Sequence, residues 1–272
     1  MAHAVRKPAV AGQFYSADSE RLRQEVGRFV SAEGRKKKCL GVVSPHAGLM
    51  YSGAVAGAVY SAVVIPPTVV LLGPNHTGIG PRAAVMVTGA WALPTGTLTV
   101  DNGVAAALLS RSALLSEDSS AHLFEHSLEV QLPFIHFFRE DVKIVPVTMM
   151  HLSLDECIRM GSEMAEAIRA ASTEILMVAS SDMSHYVPDR VAREKDRMAI
   201  DRMLEIDPEG LYEVVERHSI SMCGFVPATV MLAAARDLGA KSAELVKYAT
   251  SAETSGDYGH VVGYSGILVG LP

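Results

Sequence analysis

The strongest constraint in this sequence comes from four short apolar runs, rich in β-branched residues, that each end in polar side chains. These runs cover residues 40–44, 69–72, 175–179 and 245–249, and longer segments with helical patterns lie between them. Strands that alternate with helical segments are typical of layered α/β folds. In such folds, ligands bind in the crevice beyond the carboxyl ends of the strands. We therefore predict an α/β fold with a central, mainly parallel or mixed sheet between helix layers, and a site at one edge of that sheet.

Three of these strand ends carry a histidine and the fourth carries a glutamate. His46 lies in SPHAG (44–48), His76 in GPNHTG (73–78), His185 in SSDMSH (180–185) and Glu253 in TSAETSGD (250–257). Imidazole is the commonest metal ligand in proteins. Two histidines and one carboxylate form the facial triad of non-haem iron(II) oxygenases. We expect His46, His76 and Glu253 to bind a divalent metal; turn histidines bonded only to backbone and a solvated glutamate are the alternatives.

Asp182 and His185 form a second element of the expected site. Their three-residue spacing places both side chains on one face of a turn or a short helix. A carboxylate beside an imidazole fixes the tautomer of the ring and raises its basicity, which suits a general base. We expect His185 to move protons and Asp182 to orient it. The alternative is that Asp182 caps the amino end of a helix.

The segment AHLFEHSLEVQLP (121–133) is dense in ionisable residues. We expect Glu125 and His126 to line the same pocket and to contact a ligand, together with Thr254 from the fourth strand end. The alternative for Glu125 is a carboxylate at a helix amino terminus, stabilised by the helix dipole. Cys223, in MCGFVP (222–227), is either a reactive thiol at a helix start or a small buried apolar residue.

Composition excludes several classes of protein. A net charge of −6 argues against a nucleic-acid surface, which is usually basic. The basic run at 35–38 precedes an apolar strand, so we interpret it as a solvated loop. No apolar run approaches 18 residues, so we expect no membrane segment. Three cysteines without paired spacing favour a reducing cytoplasm. Nucleotide-binding glycine motifs and a GxSxG nucleophile turn are absent.

Six ordered blocks identify a family resemblance. They are PAVAGQFY (8–15), SPHAG (44–48), GPNH (73–76), EHSLE (125–129), SSDMSH (180–185) and CGFVP (223–227). This set resembles the Memo (mediator of ErbB2-driven cell motility) family, and the blocks span nearly the whole chain. The resemblance implies one domain over residues 1–272, with a fold similar to that of the B subunit of class III extradiol dioxygenases.

The resemblance also implies roles for particular residues. His46 and His76 correspond to two histidines of the family's pocket, and Asp182 and His185 to its aspartate and a further histidine. That last histidine serves as the acid and base in the dioxygenases. The third ligand position, a cysteine in animal members, is expected to fall on Thr254, with Glu253 beside it.

These observations lead to one main functional hypothesis and two alternatives. The main hypothesis is a metal-site protein with a dioxygenase-like pocket that performs oxygenase or redox chemistry on a small aromatic substrate, with iron(II) as the expected metal and copper or zinc as alternatives. The second is a non-catalytic module that binds a peptide or protein in the same pocket. The third is a metal-dependent hydrolase. A homodimer is the base-rate expectation for the assembly.

Overall fold

The computed structural model describes residues 4–31 and 35–272, in which strands and helices alternate. The strands are β1 (Val5–Arg6), β2 (Cys39–Ser44), β3 (Thr68–Pro74), β4 (Ala83–Val85), β5 (Ala90–Leu93), β6 (Gly96–Val100), β7 (Ser116–Glu117), β8 (Lys143–Met149), β9 (Ile175–Ser180), β10 (His185–Val187), β11 (Ala243–Thr250) and β12 (Val261–Gly270). The helices are α1 (Ser19–Phe29), α2 (Leu49–Ala62), α3 (Asn102–Arg111), α4 (Leu132–Phe138), α5 (Leu154–Ala170), α6 (Asp189–Leu204), α7 (Pro208–His218), α8 (Phe225–Asp237) and α9 (Ala252–Ser255). The predicted single domain over 1–272 includes residues outside this description and stays a prediction.

One mixed sheet organises the fold. Its strand order is β1-β5-β6-β8-β3-β9-β2-β12-β10, with β11 paired to β12 and β4 paired to β7 and β8. At its centre, β8, β3, β9 and β2 are parallel neighbours, and β12 runs antiparallel to β2. Every residue of β3 is buried, as expected for a parallel strand covered on both faces. The predicted α/β class, with a mixed central sheet flanked by helices, is confirmed.

Two helices of small and apolar residues pack closely against the sheet. A Cβ atom on Gly266 of β12 would lie 2.5 Å from the side chain of Val59 in α2, so the glycine allows this close approach. Residues 226–235 of α8 are all buried. The helix packs against strands β2, β3 and β9 and against helices α5 and α7. Neither helix is amphipathic, because α8 is enclosed by neighbouring elements and α2 is mostly buried beyond its first turn. Within the described residues, no helix has both the length and the apolar character required to cross a membrane.

Helix boundaries follow the local signals in most places. Asp18 caps α1 by accepting a hydrogen bond from the Arg21 amide at 2.9 Å. Ser153 and Glu156 form a capping box at the start of α5. Helix α4 starts at Leu132, after a 3₁₀ turn, because proline at the next position fits only the first turn of a helix.

Candidate metal centre

The carboxyl ends of β3, β9 and β2 lie side by side and bring two of the predicted histidines together. His46 follows β2 and His76 follows β3, and their ring centroids are 5.4 Å apart. The ring of His126, from the loop before α4, lies 5.5 Å from that of His46 and 4.8 Å from that of His76. The expectation that distant loops converge at this edge of the sheet therefore agrees with the structure.

A thiol completes this cluster where the sequence predicted a carboxylate. The Sγ atom of Cys223 lies 3.3 Å from Nε2 of His46. One ligand atom from each of His46, His76 and Cys223 lies within 4.8 Å of the other two. The resemblance had placed the family's cysteine position on Thr254. In the structure, Cys223 supplies a thiol beside the two imidazoles, whereas Thr254 is not in this group of donor atoms. The correspondence of Thr254 to the family's cysteine position stays a prediction.

The close packing of Gly224 brings Cys223 into the cluster. A Cβ atom at Gly224 would lie 2.3 Å from the carbonyl oxygen of Ser180, so only glycine allows this approach of the α8 amino end to β9. The Gly224 amide donates to Ser181 Oγ at 3.0 Å. The Asp182 amide donates to Cys223 Sγ at 3.3 Å. The sequence signal for this position is the Cys-Gly pair before α8, which by itself leaves open a reactive or a buried thiol.

Glu253 and Thr254 do not join the cluster. Both are exposed on the one-turn helix α9. The carboxylate of Glu253 lies 3.8 Å from the guanidinium of Arg193, and the Thr254 hydroxyl donates to the carbonyl of Met50 at 3.3 Å. Among the described residues, the groups of donor atoms that could hold a metal do not include Glu253. The expected triad of two histidines and Glu253 does not form, because helix α9 directs the Glu253 side chain toward Arg193 of α6.

The hydrogen bonds around Ser180 determine which nitrogen of His46 is free. Ser180 Oγ lies 2.6 Å from the carbonyl of Ser127, to which it donates its only proton. It accepts from Gln131 Nε2 at 2.8 Å. His46 Nδ1, at 2.9 Å, must then donate to the same oxygen. The lone pair of His46 is therefore on Nε2, the atom that faces Cys223.

Glu125 sets the tautomer of His76 in the same manner. The carboxylate is fully buried and lies 2.9 Å from His76 Nδ1, and it also accepts from the amides of His76, His126 and Ser127. Burial would raise the pKa of Glu125, but the hydrogen bond and charge of His76 outweigh it and lower the pKa to about 2. An ionised acceptor at Nδ1 leaves Nε2 of His76 free. We expected Glu125 to contact a ligand; its oxygens are instead occupied by these donors.

Asp182 and His185 flank the cluster but do not bond to each other as predicted. Asp182 Oδ1 accepts from the amides of His46 and Ala47, at 2.8 and 3.3 Å. His185 is held by Ser221, whose carbonyl lies 2.8 Å from Nδ1 and whose hydroxyl accepts from the His185 amide. The predicted carboxylate–imidazole pair is corrected, since a backbone carbonyl orients His185. Asp182 positions the His46 loop, a role close to the capping alternative.

Burial favours the neutral form of two imidazoles of the site, His46 and His126. Burial holds the pKa of His46 well below its usual value, and the nearby rings of His126 and His76 lower it further. Burial also lowers the pKa of His126. For the Cys223 thiol and for Asp182, burial raises the pKa. Neutral imidazoles are metal ligands, whereas the thiol must lose its proton when it binds a metal.

The donor set fits a transition metal. Two imidazole nitrogens carry free lone pairs, each fixed by an acceptor at the other nitrogen, and a thiol lies beside them. Imidazole and thiolate ligands suit iron, copper and zinc, whereas magnesium and calcium prefer oxygen ligands. A second group of donor atoms, from His76, Glu125 and His126, overlaps the first at His76.

Comparisons with known proteins identify a family and a similar fold. A family model described as Memo-like protein matches residues 6–268. A MEMO1 family protein of Methanopyrus kandleri is 41% identical, over 97% of this chain and 98% of its own length. One from Pyrobaculum aerophilum is 42% identical over the same shares of the two chains. The crystal structure of an uncharacterized protein from Escherichia coli K12 is similar in fold, with a TM-score of 0.56 and 15% identity, over 84% of this chain and 98% of that one.

Proposed function

This chain belongs to the Memo-like protein family, and from that premise we propose that it binds one transition-metal ion through His46, His76 and Cys223 and offers it to a small oxygen-bearing ligand. The observation that carries the proposal is the convergence of two free Nε2 atoms and one thiol at the same edge of the sheet. Iron(II) is the metal of the main hypothesis, and the thiol makes copper and zinc direct competitors.

The surrounding residues support a division of roles. Glu125 and Ser180 hold the two imidazoles in the tautomer that presents Nε2. When bound, the metal supplies Lewis-acid and redox chemistry to the ligand. His185, with Nδ1 held by a carbonyl, has a free Nε2 that can accept a proton from a ligand hydroxyl. This combination favours oxygenase-type chemistry on a small molecule with acidic hydroxyl groups.

The first test is anaerobic titration of metal-free protein with cobalt(II), which gives a near-ultraviolet thiolate-to-metal absorption when a cysteine is a ligand. We expect one cobalt per chain and loss of the absorption in Cys223→Ser. Cys157→Ser is the matched control, because this buried cysteine lies in α5 and contacts the Leu152 carbonyl, 3.9 Å away. A Cys223→Ser variant that keeps the absorption and the affinity would refute the proposed ligand set.

The histidines are tested by iron(II) and zinc binding under the same conditions. We expect His46→Gln to abolish stoichiometric binding, since it removes a buried ligand whose Nε2 faces the thiol. His218→Gln, at the exposed end of α7, is the control and should bind as the wild type does. Turnover of catechol-type substrates by the iron(II) form, measured as oxygen consumption, then separates oxygenase chemistry from metal storage.

A second candidate function, capture of a peptide, is favoured by apolar side chains that border the site loops. Met50, Phe124 and Tyr186 are 60%, 68% and 76% exposed, and each lies within four residues of His46, Glu125 or His185. Large exposed apolar groups near a pocket mark binding surfaces. The test is selection from a displayed peptide library in the presence of a chelator. Peptides that bind the wild type with or without the chelator, but do not bind Phe124→Ser, would support this function. If the wild type binds no peptide, this function is eliminated.

A further inference from the structure

A cleft of about 640 Å³ opens at the amino ends of the central strands, away from the candidate metal centre. Thr68 and Lys143, the first residues of β3 and β8, lie in its wall. His76 follows the other end of β3, a strand of seven residues that is therefore roughly 20 Å long. The cleft is thus separate from the histidine cluster, and it has the volume of a site for a small molecule.

The two carboxylates in the wall of this cleft already have partners within the protein. Asp101 accepts from the Val104 amide at 3.1 Å and from the Thr68 hydroxyl at 2.8 Å. Asp141 accepts from the guanidinium of Arg139 at 2.9 and 3.3 Å. Each carboxylate is therefore held by donors of its own wall.

Two further cations of the cleft, Arg111 and Lys143, have no such partner. Both side chains are exposed, and no ion pair among residues 4–31 and 35–272 includes either of them. Nη1 of Arg111 donates to the Ala107 carbonyl at 3.2 Å, so the guanidinium is turned back toward the start of α3. Three cations and two carboxylates leave the cleft with a net charge of +1, whereas the whole chain has −6. The cleft therefore attracts an anion.

The amino end of α3 adds a backbone donor near Lys143. Gly103, the second residue of α3, lines the cleft, and its amide has no acceptor among the described residues. The first amides of a helix lack partners within the helix, and the helix dipole is positive there. Strand β6 leads into α3 and pairs with β8, so that Thr99 lies beside Lys143 and the Asp101 amide donates to the Ile144 carbonyl at 2.9 Å. A free amide and a free ammonium group thus belong to the same end of the cleft.

The opposite wall is small and polar. It comes from the carboxyl end of α5 and the turn after it: Ala167, Ala170, Ala171, Ser172 and Thr173. The last carbonyl groups of a helix have no partner within it and carry the negative end of its dipole, so this wall favours ligand hydroxyl groups over a second anion. None of the described residues that line the cleft is aromatic, so it offers no stacking surface for a nucleobase.

We propose that this cleft binds a small phosphate monoester that carries hydroxyl groups, such as a sugar phosphate. The phosphate lies at the end formed by Gly103 and Lys143, with Arg111 as a further cation, and the hydroxyl groups face the end of α5. A phosphate monoester brings nearly two negative charges and three strong acceptor oxygens, which suit two cations and a free amide. The inference does not depend on the proposed metal site, because the two sites lie at opposite ends of the sheet.

The experiment is isothermal titration calorimetry of metal-free protein at low ionic strength, with ribose 5-phosphate, inorganic phosphate and ribose as probes. Metal-free protein is used so that no probe binds to a metal ion. We expect one ribose 5-phosphate per chain, weaker binding of inorganic phosphate and no detectable binding of ribose. The affinity for ribose 5-phosphate should fall with added salt, because the cations are exposed.

The decisive comparison is between Lys143→Gln and Lys247→Gln. Lys247 is the matched control, since it is also an exposed lysine on a strand, β11, and lies outside the cleft. A hydrogen bond to a charged group corresponds to about 10- to 100-fold in affinity. We expect Lys143→Gln to weaken ribose 5-phosphate binding by about 10-fold or more, and Arg111→Gln to weaken it in the same direction. Lys247→Gln should stay within about twofold of wild type.

Three results would overturn the proposal. An absence of saturable ribose 5-phosphate binding to the wild type would show that the cleft is not a site for this class. Equal losses in Lys143→Gln and Lys247→Gln would show only a general attraction of anions to the surface. Equal affinities for inorganic phosphate and ribose 5-phosphate would show that the wall at the end of α5 does not contact the ligand. The unfolding midpoint of each variant is measured alongside, and unchanged midpoints assign the losses to the ligand contacts.

Discussion

Replacement of Ser180 by alanine tests the hydrogen-bond argument for the site. The hydroxyl connects three groups that are fully buried or nearly so: the Ser127 carbonyl, the Gln131 amide and Nδ1 of His46. Gln131 keeps an acceptor in Ser180→Ala, because its Nε2 also donates to the Pro45 carbonyl at 2.9 Å. The Ser127 carbonyl and the His46 Nδ1–H lose the partner that Ser180 provides.

The expected magnitude follows from those two lost partners. Each buried polar group left without a hydrogen bond costs about 1–3 kcal/mol, so the free energy of unfolding should fall by roughly 2–6 kcal/mol. The His46 tautomer with its lone pair on Nε2 also loses its fixed acceptor. Loss of such a group typically lowers metal affinity about 10- to 100-fold. Both effects arise from one oxygen atom, Ser180 Oγ, which is not among the proposed metal ligands.

Two measurements check this prediction. Denaturant unfolding of metal-free protein gives the stability change, and competition with a chromophoric chelator gives the zinc affinity. Thr148→Val is the matched control. Thr148 carries a buried hydroxyl on β8, which β3 separates from β9, and its Oγ1 has no partner among the described residues. We expect this control to lie within about 1 kcal/mol of wild type. Zinc affinity of Ser180→Ala within twofold of wild type would refute the assigned tautomer.

Three further predictions concern the scaffold. Burial lowers the pKa of His122 to about 4, so the stability that its neutral ring contributes is present above pH 6.5 and is lost as the pH falls toward 4. In His122→Phe, the free energy of unfolding should fall by about 3 kcal/mol less over this pH range than in the wild type. An identical pH profile of the two proteins would contradict this prediction. Arg6→Met leaves the buried Glu129 carboxylate without its 2.6 Å ion pair, and the free energy of unfolding, measured by chemical denaturation, should fall by about 3–5 kcal/mol. A fall of less than about 1 kcal/mol would argue against a stabilising ion pair. Gly57→Ala places a Cβ atom 2.2 Å from the backbone carbonyl oxygen of Phe29, the last residue of α1, and should lower the melting temperature sharply. Gly27→Ala is the control: its Cβ atom would meet no other atom within 4 Å, and alanine favours the helix, so the melting temperature should rise slightly.

The sequence predicted the arrangement of strands and the two histidines of the site because these depend on local patterns. Apolar runs of strand length identify β2, β3 and β9, and the parallel sheet then places the residues after each run at one edge. His46 and His76 follow directly from this rule. The capping box of α5 and the late start of α4 are equally local, since each depends on a few neighbouring residues.

The proposed third ligand and the groups that orient the histidines could not be predicted in the same way. Cys223 reaches the site only because α8 packs against β9 at Gly224, a contact between segments about 40 residues apart. Ser221, which holds His185, arrives with the same segment. Glu253 has a suitable side chain in a suitable loop, but the one-turn helix α9 directs it to Arg193.

The amino-acid sequence by itself determined the layered fold, the edge at which the loops meet and the two imidazoles that lie there, because hydrophobic periodicity and local turn residues act over short stretches of chain. Tertiary structure alone decided that the Cys223 thiol and not the Glu253 carboxylate joins those imidazoles, and which nitrogen of each ring is free. These properties depend on the direction of side chains to within about an ångström. That direction is set by packing between segments that are distant in sequence.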